Sequence, residues 1–128
     1  MAQKEIIVTK NAPAAFGPYS QAVTAGGLVI ASGQMGMDPS SGKMVETGVE
    51  DETKQALENL KAILEAAGSS LGEVLKTTVF ITDMNDFAKM NEIYSHYFSE
   101  GFPARSTVQV SALAKGAKVE IEAIAVSK

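Results

Sequence analysis

Residues 102–110 read Phe102-Pro103-Ala104-Arg105-Ser106-Thr107-Val108-Gln109-Val110, and residues 118–126 read Lys118-Val119-Glu120-Ile121-Glu122-Ala123-Ile124-Ala125-Val126. Both runs alternate with the period of a strand. In the first, Ser106, Val108 and Val110 share one side, and Arg105, Thr107 and Gln109 the other. In the second, Val119, Ile121, Ala123 and Ala125 form an apolar set, opposite Lys118, Glu120, Glu122, Ile124 and Val126. A hairpin pairing Thr107 with Glu122 brings the two apolar sets together under a helical layer. It places Arg105, Thr107, Gln109, Glu120 and Glu122 on the opposite face, with Arg105 diagonal to Glu122. Arg105 is the only arginine beside ten lysines. Beside Glu122 it is either one half of a self-satisfied ion pair or an anion clamp next to a water-activating carboxylate. The open face also carries Ile124 and Val126. It is either a solvated surface or a partly wet contact with another copy, and a homo-oligomer is expected.

Working back from this stretch, Glu5 to Thr9 is β-rich, and 11–18 is an ordered loop in which Gly17-Pro18 restricts the backbone before Tyr19. Tyr19 on its own reads as an amphipathic ring on the core surface. Gln21 to Ala25 and Leu28 to Gly33 flank Gly26-Gly27, a hairpin signal that pairs Ala25 with Leu28, Val23 with Ile30 and Gln21 with Ser32. The glycines around Gln34 allow some group to approach the backbone closely. Asp38 to Val49 is a loop.

From Glu50 the period becomes helical. Leu57, Leu60, Leu64 and Ala67 form a stripe flanked by Ala56 and Ile63, and Gly68 stands at the C-terminal cap. Glu50, Asp51 and Glu52 suit the positive end of that helix. Val74 to Thr82 is the longest β-branched run. Asp83 or Asn85 caps a second helix with the stripe Phe87, Met90, Tyr94 and Tyr97, with Ile93 and Phe98 alongside. Asn91 lies one turn from Phe87 and Tyr94, and His96 falls on the solvated side. The order β, ββ, α, β, α, ββ predicts one α+β domain over residues 1–128, two helices packed on one face of a mixed sheet.

Composition narrows the function. The chain has 45% hydrophobic and 20% charged residues, a net charge of −4 and no dense basic stretch, which argues against nucleic-acid binding. No cysteine and one histidine exclude disulfides, cysteine nucleophiles and Cys/His metal centres. Neither a signal peptide nor a membrane span is predicted, so a cytoplasmic location is the default expectation.

Four motifs, in order, resemble the Rid family of reactive enamine/imine deaminases, also called the YjgF or liver perchloric-acid-soluble protein family. They are Asn11-Ala-Pro-Ala-Ala-Phe-Gly-Pro-Tyr-Ser20, Ile30-Ala-Ser-Gly-Gln34, Lys76-Thr-Thr-Val-Phe-Ile-Thr-Asp-Met-Asn-Asp-Phe87, and the C-terminal pair quoted above. The resemblance implies a chorismate-mutase-like fold and homotrimers whose sheets line a central barrel, with sites in the clefts between subunits. It implies hydrolysis of 2-imino acids such as 2-iminobutanoate and 2-iminopropanoate, released by pyridoxal-phosphate enzymes, to 2-oxo acids and ammonia. No metal or cofactor is implied in the deaminase.

Carried over by motif, Arg105 binds the substrate carboxylate and Glu122 positions or activates water. Tyr19 closes the pocket, Ser32 and Gly33 line it, and Asn91 lies near it. Thr107 stands where close relatives often have Cys, which alters pocket polarity. The short segment Ser99-Glu100-Gly101 alters the rim. The competing function is a non-catalytic small-ligand or regulatory module using the same clefts, and a ribonuclease or translation-inhibitor role ranks third.

Overall fold

The computed structural model describes residues 3–98 and 101–127. The strands are β1 (Glu5–Ile7), β2 (Ala22–Ala25), β3 (Leu28–Gln34), β4 (Val74–Ile81), β5 (Ala104–Gln109) and β6 (Val119–Val126); the helices are α1 (Val49–Ala66) and α2 (Phe87–Tyr97). One six-stranded sheet runs β1-β2-β3-β6-β4-β5, with β4 and β5 parallel and every other pair antiparallel. This is the expected mixed sheet. Ser99 and Glu100 of the expected short rim lie outside the described residues.

The β2–β3 hairpin has the predicted register, Ala25 with Leu28 and Val23 with Ile30. Gly26 and Gly27 adopt φ of 57° and 80°, the left-handed pair that a tight two-residue hairpin turn requires. In α1, Ala56, Leu57, Leu60, Ile63 and Leu64 are all 0% exposed. They pack on Val29, Val79, Ile121, Ala123 and Ala125 from the sheet. Gly68 and Ser69 donate their N–H groups back to the carbonyls of Glu65 and Leu64, closing the helix end as its glycine predicts. Asp83 accepts from the Asn85 N–H at 2.9 Å and caps a 3₁₀ turn (Met84–Asp86) that runs into α2. His96 is exposed, as its position on α2 predicts.

The predicted hairpin between the last two strands does not form. β6 inserts between β3 and β4, and β5 lies at the edge, parallel to β4, with Thr107 opposite Val79 and Glu122 opposite Thr78. The physical reason is a helical crossover: α2 carries the chain from the end of β4 back to its start, and such a return produces a parallel neighbour. Burial then orders the strands. Val119, Ile121, Ala123 and Ala125 are at most 2% exposed, so β6 takes an interior position. The polar β5 takes the edge, where its unpaired side can face water or a partner.

Candidate functional site

Register determines which side chains share a face, and it reverses the predicted side of Arg105. Arg105 pairs with Thr77 across β4–β5. Thr77 is 1% exposed, and its hydroxyl bonds the Tyr94 hydroxyl of α2 at 2.7 Å, so this is the helical face. Glu122 pairs with Thr78 on the open face. Arg105 and Glu122 therefore point to opposite sides of the sheet and are not diagonal neighbours. The predicted inward set Ser106, Val108 and Val110 is corrected likewise: Ser106 pairs with Thr78 on the open face, and Val108 is 41% exposed.

The Arg105 guanidinium lies 4.7 Å from the Tyr94 ring centroid and 5.7 Å from that of Phe87. Ring faces attract the cation without neutralising it. Among the described residues no carboxylate pairs with it, and the predicted ion pair with Glu122 does not form. Around it, Asn91, Tyr94, Ser95, Phe102 and Pro103 complete a cleft of about 340 Å³. Asn91 Oδ1, in the cleft lining, and Thr107 Oγ1, two residues along β5 from Arg105, are buried and have no hydrogen-bond partner among the described residues. Unpaired buried polar atoms are costly and call for a partner such as a water.

The open face holds a second group. In β3, Ala31 pairs with Ala123 but Gln34 pairs with Ile121, so one extra residue forms a bulge at Ser32–Gly33. The Ser32 hydroxyl donates to the Ser20 carbonyl at 2.6 Å. Gly33 abuts Glu120: a Cβ on it would stand 2.6 Å from a Glu120 carboxylate oxygen. Burial, and then the neighbouring Glu122, push the Glu120 carboxyl above the usual carboxylate range. Glu122 is exposed and shares a cleft with Ser32.

Tyr19 and Gly33 line one small cavity together with Phe16. The loop bearing Tyr19 is tied down by the buried Gln21 side chain, which donates to the carbonyls of Pro13 (2.8 Å) and Thr9 (3.0 Å) and accepts from the Thr9 N–H (2.7 Å).

The predicted site residues thus fall into two groups. Arg105, Thr107 and Asn91 lie on the helical side, at the sheet edge. Tyr19, Ser32, Gly33 and Glu122 gather at the bulge. Glu120, absent from the predicted set, belongs to the second group. Strand alternation already puts it on the face of Glu122, and Gly33 signals a close approach. The bulge that brings the two together leaves no signature in the sequence. Among the described residues no three acidic or histidine side chains cluster as a metal site would require, and no helix is long and apolar enough to cross a membrane.

The family model for endoribonuclease L-PSP matches residues 9–127. A RutC family protein of Pyrococcus horikoshii is 57% identical over 95% of this chain and 97% of its own length. The mouse 2-iminobutanoate/2-iminopropanoate deaminase is 56% identical over 96% of this chain and 91% of its own. The crystal structure of E. coli TdcF with bound serine superposes with a TM-score of 0.93 at 49% identity, covering 97% of this chain and 99% of that one.

Proposed function

Since the chain belongs to the Rid family, whose model bears the name endoribonuclease L-PSP, we propose that it is a deaminase that hydrolyses 2-imino acids to 2-oxo acids and ammonia. Arg105, charged, set against two aromatic rings and unpaired among the described residues, carries the reading. A planar guanidinium grips a carboxylate through two parallel hydrogen bonds. The imino acids named for the mouse relative share a carboxylate and a nitrogen-bearing α-carbon with the serine bound to the E. coli relative.

In the proposed reaction, Arg105 holds the carboxylate. Glu120, with its pKa raised by burial and by Glu122, takes a proton from water as the oxygen bonds to the imine carbon. The C=N π electrons move to nitrogen, which takes up a proton. In the resulting carbinolamine the amino nitrogen gains the proton that the hydroxyl gives up, relayed by Glu120; the C–N bond breaks, ammonia leaves, and the C=O bond of the 2-oxo acid forms. The imine carbon is already electrophilic, so positioning supplies most of what is needed. Asn91 lines the same cleft, and Thr107, two residues along β5 from Arg105, sets the polarity beside it. Tyr19, Ser32 and Gly33 frame the carboxylate, and Glu122 tunes it from beside.

One chain cannot bring Arg105 and Glu120 together, because they lie on opposite faces of its sheet. A complete site needs the edge of one subunit against the open face of another. That face carries Ile30, Val108 and Ile124 at 51%, 41% and 37% exposure, an apolar surface suited to burial in an oligomer. The reading is therefore a homo-oligomer with sites between subunits; the family resemblance supplies the number three, and the proposed setting is the cytoplasm.

The test couples a threonine dehydratase to this protein and follows 2-iminobutanoate loss in competition with semicarbazide. Faster 2-oxobutanoate formation, at the expense of the semicarbazone, is expected. Partitioning identical to buffer alone contradicts the deaminase and favours a binding module.

A further inference from the structure

The geometry points to Lys115, outside the proposed catalytic groups, as a positioning residue that clasps the Phe16–Tyr19 arm over the pocket. This rests on the reading of Tyr19 as a pocket-closing group. Lys115 Nζ lies 4.8 Å from the centroid of the Phe16 ring. The edges and faces of Phe16 and Tyr19 meet at 89° with centroids 5.7 Å apart, and the Phe16 N–H donates to the Tyr19 hydroxyl at 3.3 Å. Both rings are substantially exposed, at 50% and 42%, so no core packing fixes them. The cation, the first ring and the second ring form one chain of contacts ending at the cavity that Tyr19 shares with Gly33.

Two further observations favour positioning over a chance surface contact. Lys115 is the only non-glycine residue among those described with a positive φ, at 58°, and ψ is 22°. A left-handed lysine is disfavoured unless its surroundings hold it there. It also sits in the link between β5 and β6, five residues before Glu120. The clasp therefore joins the arm that covers the pocket to the strand that carries the proposed base. The arm governs access and binding, so loosening it raises KM and leaves kcat largely unchanged.

The test compares the wild type with Lys115→Asn, which tolerates the left-handed turn but removes the cation, and Lys115→Arg, which keeps the cation. The first readout is amide exchange of the segment 11–20. An exposed cation–π contact predicts about a two- to fivefold faster exchange in Lys115→Asn, with the wild-type rate restored in Lys115→Arg. The second readout is KM for the imine, rising by a similar factor in Lys115→Asn alone. Wild-type exchange in Lys115→Asn, or an arginine variant as loose as the asparagine one, overturns the clasp. Exchange is read without substrate, so a protein that hydrolyses no imine would sink the deaminase while the clasp is still decided.

Discussion

Arg105 and Glu120 are ordinary residues in uncommon surroundings. A guanidinium on an edge strand usually meets a carboxylate, but this one meets the faces of Tyr94 and Phe87. Removing it deletes a charge-assisted contact worth about 1.5–3 kcal/mol, so Arg105→Ala should lower kcat/KM by about 10- to 150-fold. Size-exclusion elution and the far-UV spectrum should stay unchanged; full activity in a folded variant would mean that another group binds the carboxylate. The carboxyl of Glu120 is held up by burial and by Glu122. A base works when ionised, so kcat/KM should rise with pH through that raised pKa. Glu122→Gln removes the like charge, lowers the pKa of Glu120 and moves the acid limb to lower pH. An unmoved limb would detach Glu120 from the rate profile. The sequence made Arg105 conspicuous by its uniqueness. It could not show which side of the sheet the residue faces, because that follows from a strand order decided by competition for the interior.

At the scale of elements, most of the fold was legible. The α1 stripe and the Gly26-Gly27 turn follow from local rules, and each local preference agrees with its tertiary setting; Asp83 caps the 3₁₀ turn leading into α2, while α2 itself begins after Asp86 without a side-chain cap. The β5–β6 pairing was not legible: neighbouring strands often pair, and only the buried α2 crossover displaces β5 to the far side of β4. The bulge in β3 was equally hidden, yet it sets the site. Gly33→Ala should therefore leave the fold intact, since the Glu120 side chain can swing away from the new methyl. It should cost about 10²-fold in kcat by misplacing the carboxylate. A Gly33→Ala enzyme with wild-type kcat would show that the carboxylate needs no such seat.

Glu52 is a second buried carboxylate, seated where α1 crosses Gly36, and it accepts the Lys118 N–H at 2.8 Å at the start of β6. Burial raises its pKa, partly opposed by that bond and by the Lys118 charge. A raised carboxyl stabilises the fold below its unfolded pKa, and that contribution is lost as pH rises through the folded value. Glu52→Gln keeps an acceptor and removes the charge. Its urea midpoint should exceed the wild type's near about pH 7 and converge with it near about pH 4. A constant offset at both values would refute the titration account.

The whole molecule is one sheet with a helical side and an open side, and the proposed chemistry needs both. The open side mixes Glu120 and Glu122 with exposed Ile30, Val108 and Ile124. The alternation of β6 shows that mixture, and the homo-oligomer expected from it is consistent with a site divided between two copies. Mixing two disabled variants tests the division directly. Arg105→Ala and Glu120→Gln, each strongly impaired alone, are unfolded together in equal amounts and refolded. In a shared site, random assembly leaves about a quarter of the intersubunit clefts with both groups intact, so activity should return to about a quarter of the wild type's. Mixed oligomers that form and show no more activity than the two variants kept apart would contradict a site built from Arg105 of one subunit and Glu120 of another.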